Sequence, residues 1–352
     1  MAGGSGTRFW PRSRALYPKQ MLQLFGKRSL IQHTYDRISG LTSNDKILVI
    51  TNISLRDAII GQLPELPPQN IISEPFGRNT APCIALAGSI IQKREKKDEV
   101  MVVLPADHLI RSEEKFRECI LAAVECVPGE GCLITVGIKP AYPETGYGYI
   151  QKDLEITSRY GRPVFKVKTF AEKPDTDTAT NFLKSGDFLW NSGMFIWTVE
   201  TIMHELDEHQ PEIAEAARTL KKYVDTKGMD NAIYDVYSRI KSVSIDYGVM
   251  EMAKKVCVIE ADFEWNDVGS WEAVFNISDK DNQRNAVEAP KNLMINSNDN
   301  YIHASKLVAA IDVQGLVVVE TDDALLICRK DQSQRVKDLV DQMRRKGLED
   351  YL

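Results

Sequence analysis

Histidine is scarce in this chain, five residues in 352. The six cysteines, Cys83, Cys119, Cys126, Cys132, Cys257 and Cys328, include no C-x-x-C pair. A zinc site needs closely spaced Cys and His ligands, so this spacing argues against one. Reduced, buried thiols in a cytoplasmic protein are the plain reading. A basic excess is also missing: Lys and Arg total 44 against 50 Asp and Glu, a net charge of −6. A protein that binds nucleic acid non-specifically is usually basic, so no nucleic-acid partner is expected. An anionic small substrate remains compatible, because local cations and backbone N–H groups can hold it. No apolar run approaches the roughly 20 residues of a membrane span. The N-terminus is glycine-rich where a secretion signal would be apolar, so no membrane partner is expected either.

What the chain has is an ordinary globular composition, 43% hydrophobic and 27% charged, enough for a sizeable core. Its length fits one large domain plus a small one, or two medium ones. Short apolar runs at Lys46–Thr51, Val100–Leu104 and Cys132–Gly137 read as buried strands. Helical segments fall between them. Thr80–Gln92 places Ile84, Ala87, Ile90 and Ile91 on one face, with Asn79 or Thr80 as N-cap and Pro82 just inside. Lys115–Val127 is helical too. This alternation predicts an α/β fold with a largely parallel sheet covered on both faces.

Further along, Gly148–Lys152 and Val164–Glu172 read as hairpin strands. Thr176–Ser185, Thr201–Asp207 and Glu212–Tyr223 read as helices, and Phe195–Thr198 and Val256–Glu260 as strands. From Asp279 the texture changes. A polar linker, Asp279–Asn285, precedes short β-rich pieces at Asn292–Ile295, Leu307–Val313, Leu316–Glu320 and Ala324–Cys328, then a helix at Gln332–Arg345. The expected division is residues 1–278 and residues 286–352, the second a small β-rich module with a terminal helix. No long internal repeat stands out.

The run Gly3-Gly4-Ser5-Gly6-Thr7-Arg8 puts three glycines in four positions. Backbone N–H groups there can approach a phosphate without a Cβ in the way. Thr7 adds a hydroxyl, and Arg8 a cation that grips phosphate oxygens bidentately. The run is neither a Walker A loop nor a dinucleotide fingerprint. Taken alone it reads equally well as a flexible tail, although Phe9-Trp10-Pro11 is unusually apolar for a linker. Lys19 follows shortly, behind the rigid Pro18. Asp107 lies just past the end of a predicted parallel strand, the edge where open α/β sheets bind ligands. A hard carboxylate there suits Mg²⁺, or simply caps a turn. Asp267 would complete a pair of carboxylates if it returns near Asp107. Ser73–Pro82 is a strand-to-helix loop whose Glu74 could accept from guanine N1–H and N2–H₂. Glu172 and Lys173 set an acid beside a base, fit for sugar hydroxyls and a phosphate, or an ion pair of little consequence.

Together these segments resemble the sugar-1-phosphate nucleotidyltransferases, and within them the mannose-1-phosphate guanylyltransferases. The match is carried by AGGSGTRFWP at Ala2–Pro11, PKQ at Pro18–Gln20, SEPFGRNTAP at Ser73–Pro82 and LPADH at Leu104–His108. It continues with PETGYGYI at Pro143–Ile150, FAEKP at Phe170–Pro174, WNSGMF at Trp190–Phe195, SIDYGVME at Ser244–Glu251 and the Trp265–Trp271 segment. Nine motifs in order over about 270 residues are specific as a set, although each alone is weak or moderate.

The resemblance implies a Rossmann-like, three-layer catalytic domain with a mixed, mostly parallel sheet, and a β-helix-like C-terminal extension. It implies that GTP and mannose 1-phosphate give GDP-mannose and pyrophosphate with Mg²⁺, in a cytoplasmic homodimer. Residue by residue, Ala2, Gly3, Gly4, Ser5, Gly6 and Thr7 would hold the nucleotide, with Glu74, Arg78, Asn79, Thr80, Pro105 and Ala106. Arg8 would stabilise the departing pyrophosphate and Lys19 contact the reacting phosphates. Asp107 and Asp267 would hold the metal. Gly146, Tyr147, Glu172 and Asn191 would contact the sugar, and Lys173 its phosphate. The chemistry needs no general base or covalent intermediate, since a sugar phosphate is already a nucleophile; positioning and charge neutralisation suffice. Two departures are expected to matter. Relatives carry a short apolar strand before A-G-G, and without it the loop would lack its anchor and the chain would fold poorly. The chain also ends at Leu352, too early for the isomerase cupin of some relatives, so one activity is expected. Another nucleotide or hexose phosphate is the near alternative. A non-catalytic sensor would be signalled by loss of Arg8, Lys19, Asp107 or Asp267, and all four are present.

Overall fold

The computed structural model describes residues 1–4, 6–95 and 98–352. The chain forms two compact units. One takes Met1–Gly3, Arg37–Pro105 and Ile110–Trp265; the other takes Gly4–Asp36, Ala106–Leu109 and Asn266–Leu352. The apolar cluster after the glycine loop ties the N-terminal run to the second unit: Phe9, Trp10, Leu22 and Leu24 share one core with Trp271, Tyr301 and Val317.

The first unit is built on a six-stranded sheet. Its order runs Val100–Val103, Phe188–Thr198, Leu133–Ile138, Val256–Ala261, Arg162–Glu172, Gly148–Arg159. All six residues of Leu133–Ile138 are buried, as befits a central strand with both faces covered. Neighbouring positions face opposite ways. Leu133, Phe195 and Trp197 enter one core, with the helices Thr80–Arg94, Val199–His209 and Pro211–Lys221. Ile134, Met194 and Ile196 enter another, with the helix Glu113–Glu130. Helices on both faces of a mixed sheet make the expected three layers.

The sheet is much less parallel than the strand–helix alternation implies. Of its pairings only Leu133–Ile138 with Val256–Ala261 is parallel. The long strand Phe188–Thr198 inserts antiparallel between Val100–Val103 and Leu133–Ile138. A hairpin supplies the far edge, closed by Tyr160 (φ 50°) and Gly161 (φ 72°), the left-handed pair that a tight two-residue turn requires. A separate parallel pair joins Val49–Asn52 to Ile71–Glu74. The helix Thr80–Arg94 also departs from one-sided burial. Ala81 to Ile90 are all buried, so it is apolar all round rather than along a stripe.

The N-terminus has an anchor after all. The Met1 ammonium donates to the Leu104 carbonyl at 2.8 Å. Ala2 N–H donates to the Ile50 carbonyl at 2.8 Å, and Thr51 Oγ1 donates back to the Ala2 carbonyl at 3.1 Å. These bonds hold Met1 and Ala2 within the first unit.

In the second unit, Ala286–Glu288, Tyr301–His303 and Leu316–Glu320 stack in parallel, and Leu325–Arg329 closes antiparallel. Asn292–Ile295 pairs in parallel with Val308–Ile311. The coils advance in steps of 15 and 16 residues, a short repeat that the sequence reading passes over because it lives in polarity rather than identity. Its signature is a buried ladder. The Asn285 side-chain oxygen accepts from both the backbone and the side chain of Asn300, whose own oxygen accepts from Leu316 N–H. The terminal helix is Val336–Arg345, preceded by a tighter turn at Lys330–Arg335. Cys328 is half-buried and the other five thiols are buried, and none of the six is in a disulfide; burial pushes Cys83 and Cys119 up to about 12.

Candidate active site

The phosphate-end candidates lie in the second unit, and they converge on Lys19. Gly6 adopts φ +57°, and a Cβ there would fall 2.5 Å from Lys19 Cβ and 2.6 Å from Lys19 N. Only glycine allows the loop to lie on the lysine backbone in this way. Gln20 Nε2 donates to the Gly4 carbonyl at 3.1 Å, tying the loop a second time. Gly6 then caps the short turn Thr7–Phe9. Lys19 is buried, yet its ammonium donates to Asp107 Oδ2 at 2.8 Å and to the Asp267 carbonyl at 2.5 Å. One cation thus draws together two acidic residues that are 160 positions apart. Burial works against ionising Asp107, but Lys19 and His108 outweigh it and hold the carboxyl down to about 2. Asp267 sits in a tight turn: Val268 is buried at φ 49°, and its N–H donates to Asn266 Oδ1 at 2.7 Å. Ala106 is buried beside Asp107. Arg8 is exposed, and no described residue pairs with it. Ser5 lies outside the described residues.

The base-end and sugar-end candidates lie in the first unit. Gly3 is exposed, and a Cβ on it would lie 3.6 Å from Glu74 Oε2. Glu74 is buried and accepts from the Tyr237 hydroxyl at 2.9 Å. Burial lifts its carboxyl from 4.5 to about 7, the Tyr237 hydrogen bond opposing the rise. The next residues hold their own loop together. Arg78 Nε donates to the Tyr237 carbonyl at 2.8 Å. Asn79, at φ 67°, accepts from Thr80 N–H and caps the helix, while Thr80 Oγ1 accepts from Ile245 N–H.

At the sugar end, Tyr147 stands edge-on to Trp190 and Trp265, each ring centroid 5.2 Å away. Gly146 is exposed and its N–H donates to Glu144. Glu172 Oε2 fills the space that a Cβ on Gly148 would take, and Glu172 pairs with the exposed Lys173 at 2.9 Å. Asn191 sits on a bulge. The register between Leu133–Ile138 and Phe188–Thr198 jumps from Thr135↔Phe195 to Gly137↔Asn191, with Gly193 left-handed at φ +69°. Pro105 lies beside it, its Cγ 3.6 Å from where a Gly193 Cβ would be. The N-S-G of WNSGMF therefore re-aims a side chain, while Trp190 and Phe195 go to the core.

A family described as "Nucleotidyl transferase" matches residues 1–284 of the chain. The chain belongs to the nucleotidyl transferase family. A second family, "MannoseP isomerase/GMP-like beta-helix domain", matches residues 290–343 and agrees with the coiled C-terminal strands. A Klebsiella pneumoniae mannose-1-phosphate guanylyltransferase is 42% identical over 356 residues, covering 100% of this chain and 74% of that protein. One from Escherichia coli matches with the same identity and coverage. A crystal structure from Thermus thermophilus, described as a mannose-1-phosphate geranyltransferase, superposes with TM-score 0.87 at 30% identity over 98% of each chain. The chain is an enzymatic nucleotidyltransferase.

Three residues around this nucleotidyltransferase's candidate site carry no role from sequence reasoning alone: Tyr237 at Glu74, and Thr135 and Asp246 at Asn191. Asp246 opens a five-residue π-helical turn, Asp246–Met250, a rare element frequent at functional sites. Burial raises its carboxyl; the Asn191 hydrogen bond opposes this and Glu172 adds to it. The motif SIDYGVME contains it, but no pattern in the sequence ties position 246 to position 191.

Proposed function

We propose that the chain transfers GMP from GTP to mannose 1-phosphate, releasing pyrophosphate and forming GDP-mannose. The observation that carries this reading is Lys19 bridging Asp107 and Asp267 beside the left-handed Gly6. Backbone N–H groups of the glycine loop cradle the nucleotide phosphates. The Lys19 ammonium and the exposed Arg8 guanidinium offset negative charge on the reacting and departing phosphates. Glu74, with Gly3 beside it, reads the base. Gly146, Tyr147, Glu172 and Asn191 orient the sugar, and Lys173 takes its phosphate.

Mg²⁺ fits this donor set. Asp107 stays ionised across the neutral range, and two hard carboxylates are what Mg²⁺ commonly takes, substrate phosphates completing its shell. Among the described residues no group of three or more His, Cys, Asp or Glu could hold a metal by itself. Asp107 and Asp267 would hold the ion, which supplies further neutralisation of phosphate charge when bound.

A cytoplasmic homodimer belongs to the same proposal. No helix among the described residues is long and apolar enough to cross a membrane. The exposed Leu293, Ile295, Ile311 and Ile327 of the coiled strands support self-association.

Pyrophosphate release from mannose 1-phosphate with GTP, ATP, UTP or dTTP, with and without Mg²⁺, tests the reading. GTP with Mg²⁺ gives the fastest release. No turnover with any nucleotide would sink the proposal, and preference for dTTP with glucose 1-phosphate would sink the substrate assignment.

A further inference from the structure

Asn191 has four hydrogen-bonding positions, two N–H donors and two carbonyl lone pairs. The protein takes up most of them. Asn191 Oδ1 accepts from Gly193 N–H at 3.1 Å, and the single Thr135 hydroxyl proton is divided between Asn191 Oδ1 and the Met194 carbonyl, each 3.2 Å away. A backbone N–H can only donate, so the orientation of the amide is fixed. Asn191 Nδ2 donates to Asp246 Oδ1 at 2.7 Å. One N–H remains. Asn191 therefore has one whole N–H to offer a ligand.

The partner carboxylate completes what the amide lacks. Asp246 spends Oδ1 on Asn191, which leaves Oδ2 as an acceptor next to a lone donor. Both residues are half-buried and so remain open to solvent on one side. A hydroxyl group is matched to such a pair, because it accepts through oxygen and donates through hydrogen at one point. Phosphate oxygens are not matched, since a carboxylate repels them; the nearby cation for phosphate is Lys173, already paired with Glu172.

We propose that Asn191 and Asp246 form one donor–acceptor clamp for a single hydroxyl of the sugar phosphate, and that Asp246 is thereby a specificity-determining residue. Asn191 donates its last N–H to the hydroxyl oxygen, and Asp246 Oδ2 accepts the hydroxyl proton. Asp246 also holds the amide in the orientation that presents this N–H. The inference rests on the sugar-phosphate reading of this end of the first unit.

The test uses the full chain with GTP, mannose 1-phosphate and its four monodeoxy analogues (2-, 3-, 4- and 6-deoxy). With the unaltered protein, the analogue lacking the clamped hydroxyl loses roughly 10- to 100-fold in kcat/KM, the range for a hydrogen bond to a charged group. Asp246→Ala lowers kcat/KM for mannose 1-phosphate by a similar factor and leaves KM for GTP within about twofold. In that variant the penalty for one analogue disappears while the other three keep theirs. Asp246→Asn preserves size, and should Asp246→Ala fail to fold it gives the same pattern at smaller amplitude. Four unchanged penalties in a folded Asp246 variant would overturn the clamp. No turnover of mannose 1-phosphate by the unaltered protein would instead overturn the substrate assignment on which the clamp depends.

Discussion

At the scale of single residues, the phosphate end depends on how closely Gly6 lies on Lys19. Replacing Gly6 by Ala forces a Cβ into the Lys19 backbone and strains φ +57°. Gly6→Ala is expected to cost about 1–3 kcal/mol, read as a lower denaturant midpoint at unchanged slope. Lys19→Met leaves the ionised Asp107 without its partner and should cut turnover at least 100-fold, whereas a stability change with normal turnover would remove Lys19 from the chemistry. Glu74 gives a pH signature. Its folded value, about 7, lies above the ordinary 4.5, so between those limits the folded protein keeps a proton that the unfolded chain has released. Stability supplied by protonated Glu74 is full below about 4.5 and is lost as pH rises through 7, by at most about 3 kcal/mol. Glu74→Gln should flatten the melting temperature across that window; identical slopes in the two proteins would contradict the assignment.

At the scale of elements, contiguous apolar runs gave the core strands and helices their places, because full burial requires apolar side chains on every face. Thr176–Ser185 and Asn292–Ile295 even keep their sequence-derived limits. Partner choice was less legible. Nothing local in Phe188–Thr198 says that it pairs antiparallel between two strands far from it in sequence. The Asn191 bulge was half-visible as N-S-G, a small and polar interruption among aromatics. The C-terminal coil was hidden for a different reason: its repeat is one buried Asn per turn, and Asn285 and Asn300 look like ordinary loop residues in sequence. Asn300→Ala would leave Leu316 N–H without its partner and take one of two donors from the Val313 carbonyl, which keeps Asn298 N–H. A loss of roughly 1–3 kcal/mol in chemical denaturation is expected, against nearly none if the ladder were incidental.

At the scale of the whole molecule, a net charge of −6 means that the proposed anionic substrates must be met locally. The proposal assigns that task to a buried lysine, an exposed arginine and backbone N–H groups. Motif order made the phosphate, base and sugar candidates legible before any coordinates. What it could not supply was the wiring between distant positions, such as Asn191 to Asp246, Glu74 to Tyr237, or Met1–Ala2 to Ile50 and Leu104. Those are contacts of folding rather than of spacing.

The most direct test of the central claim is the rate of pyrophosphate release from GTP and mannose 1-phosphate with Mg²⁺, measured side by side for the unaltered protein and Asp267→Asn. Steady release by the former, and at least 100-fold slower release by a variant that melts at the same temperature, is the predicted result. Equal rates would remove Asp267 from the phosphate end and contradict the account.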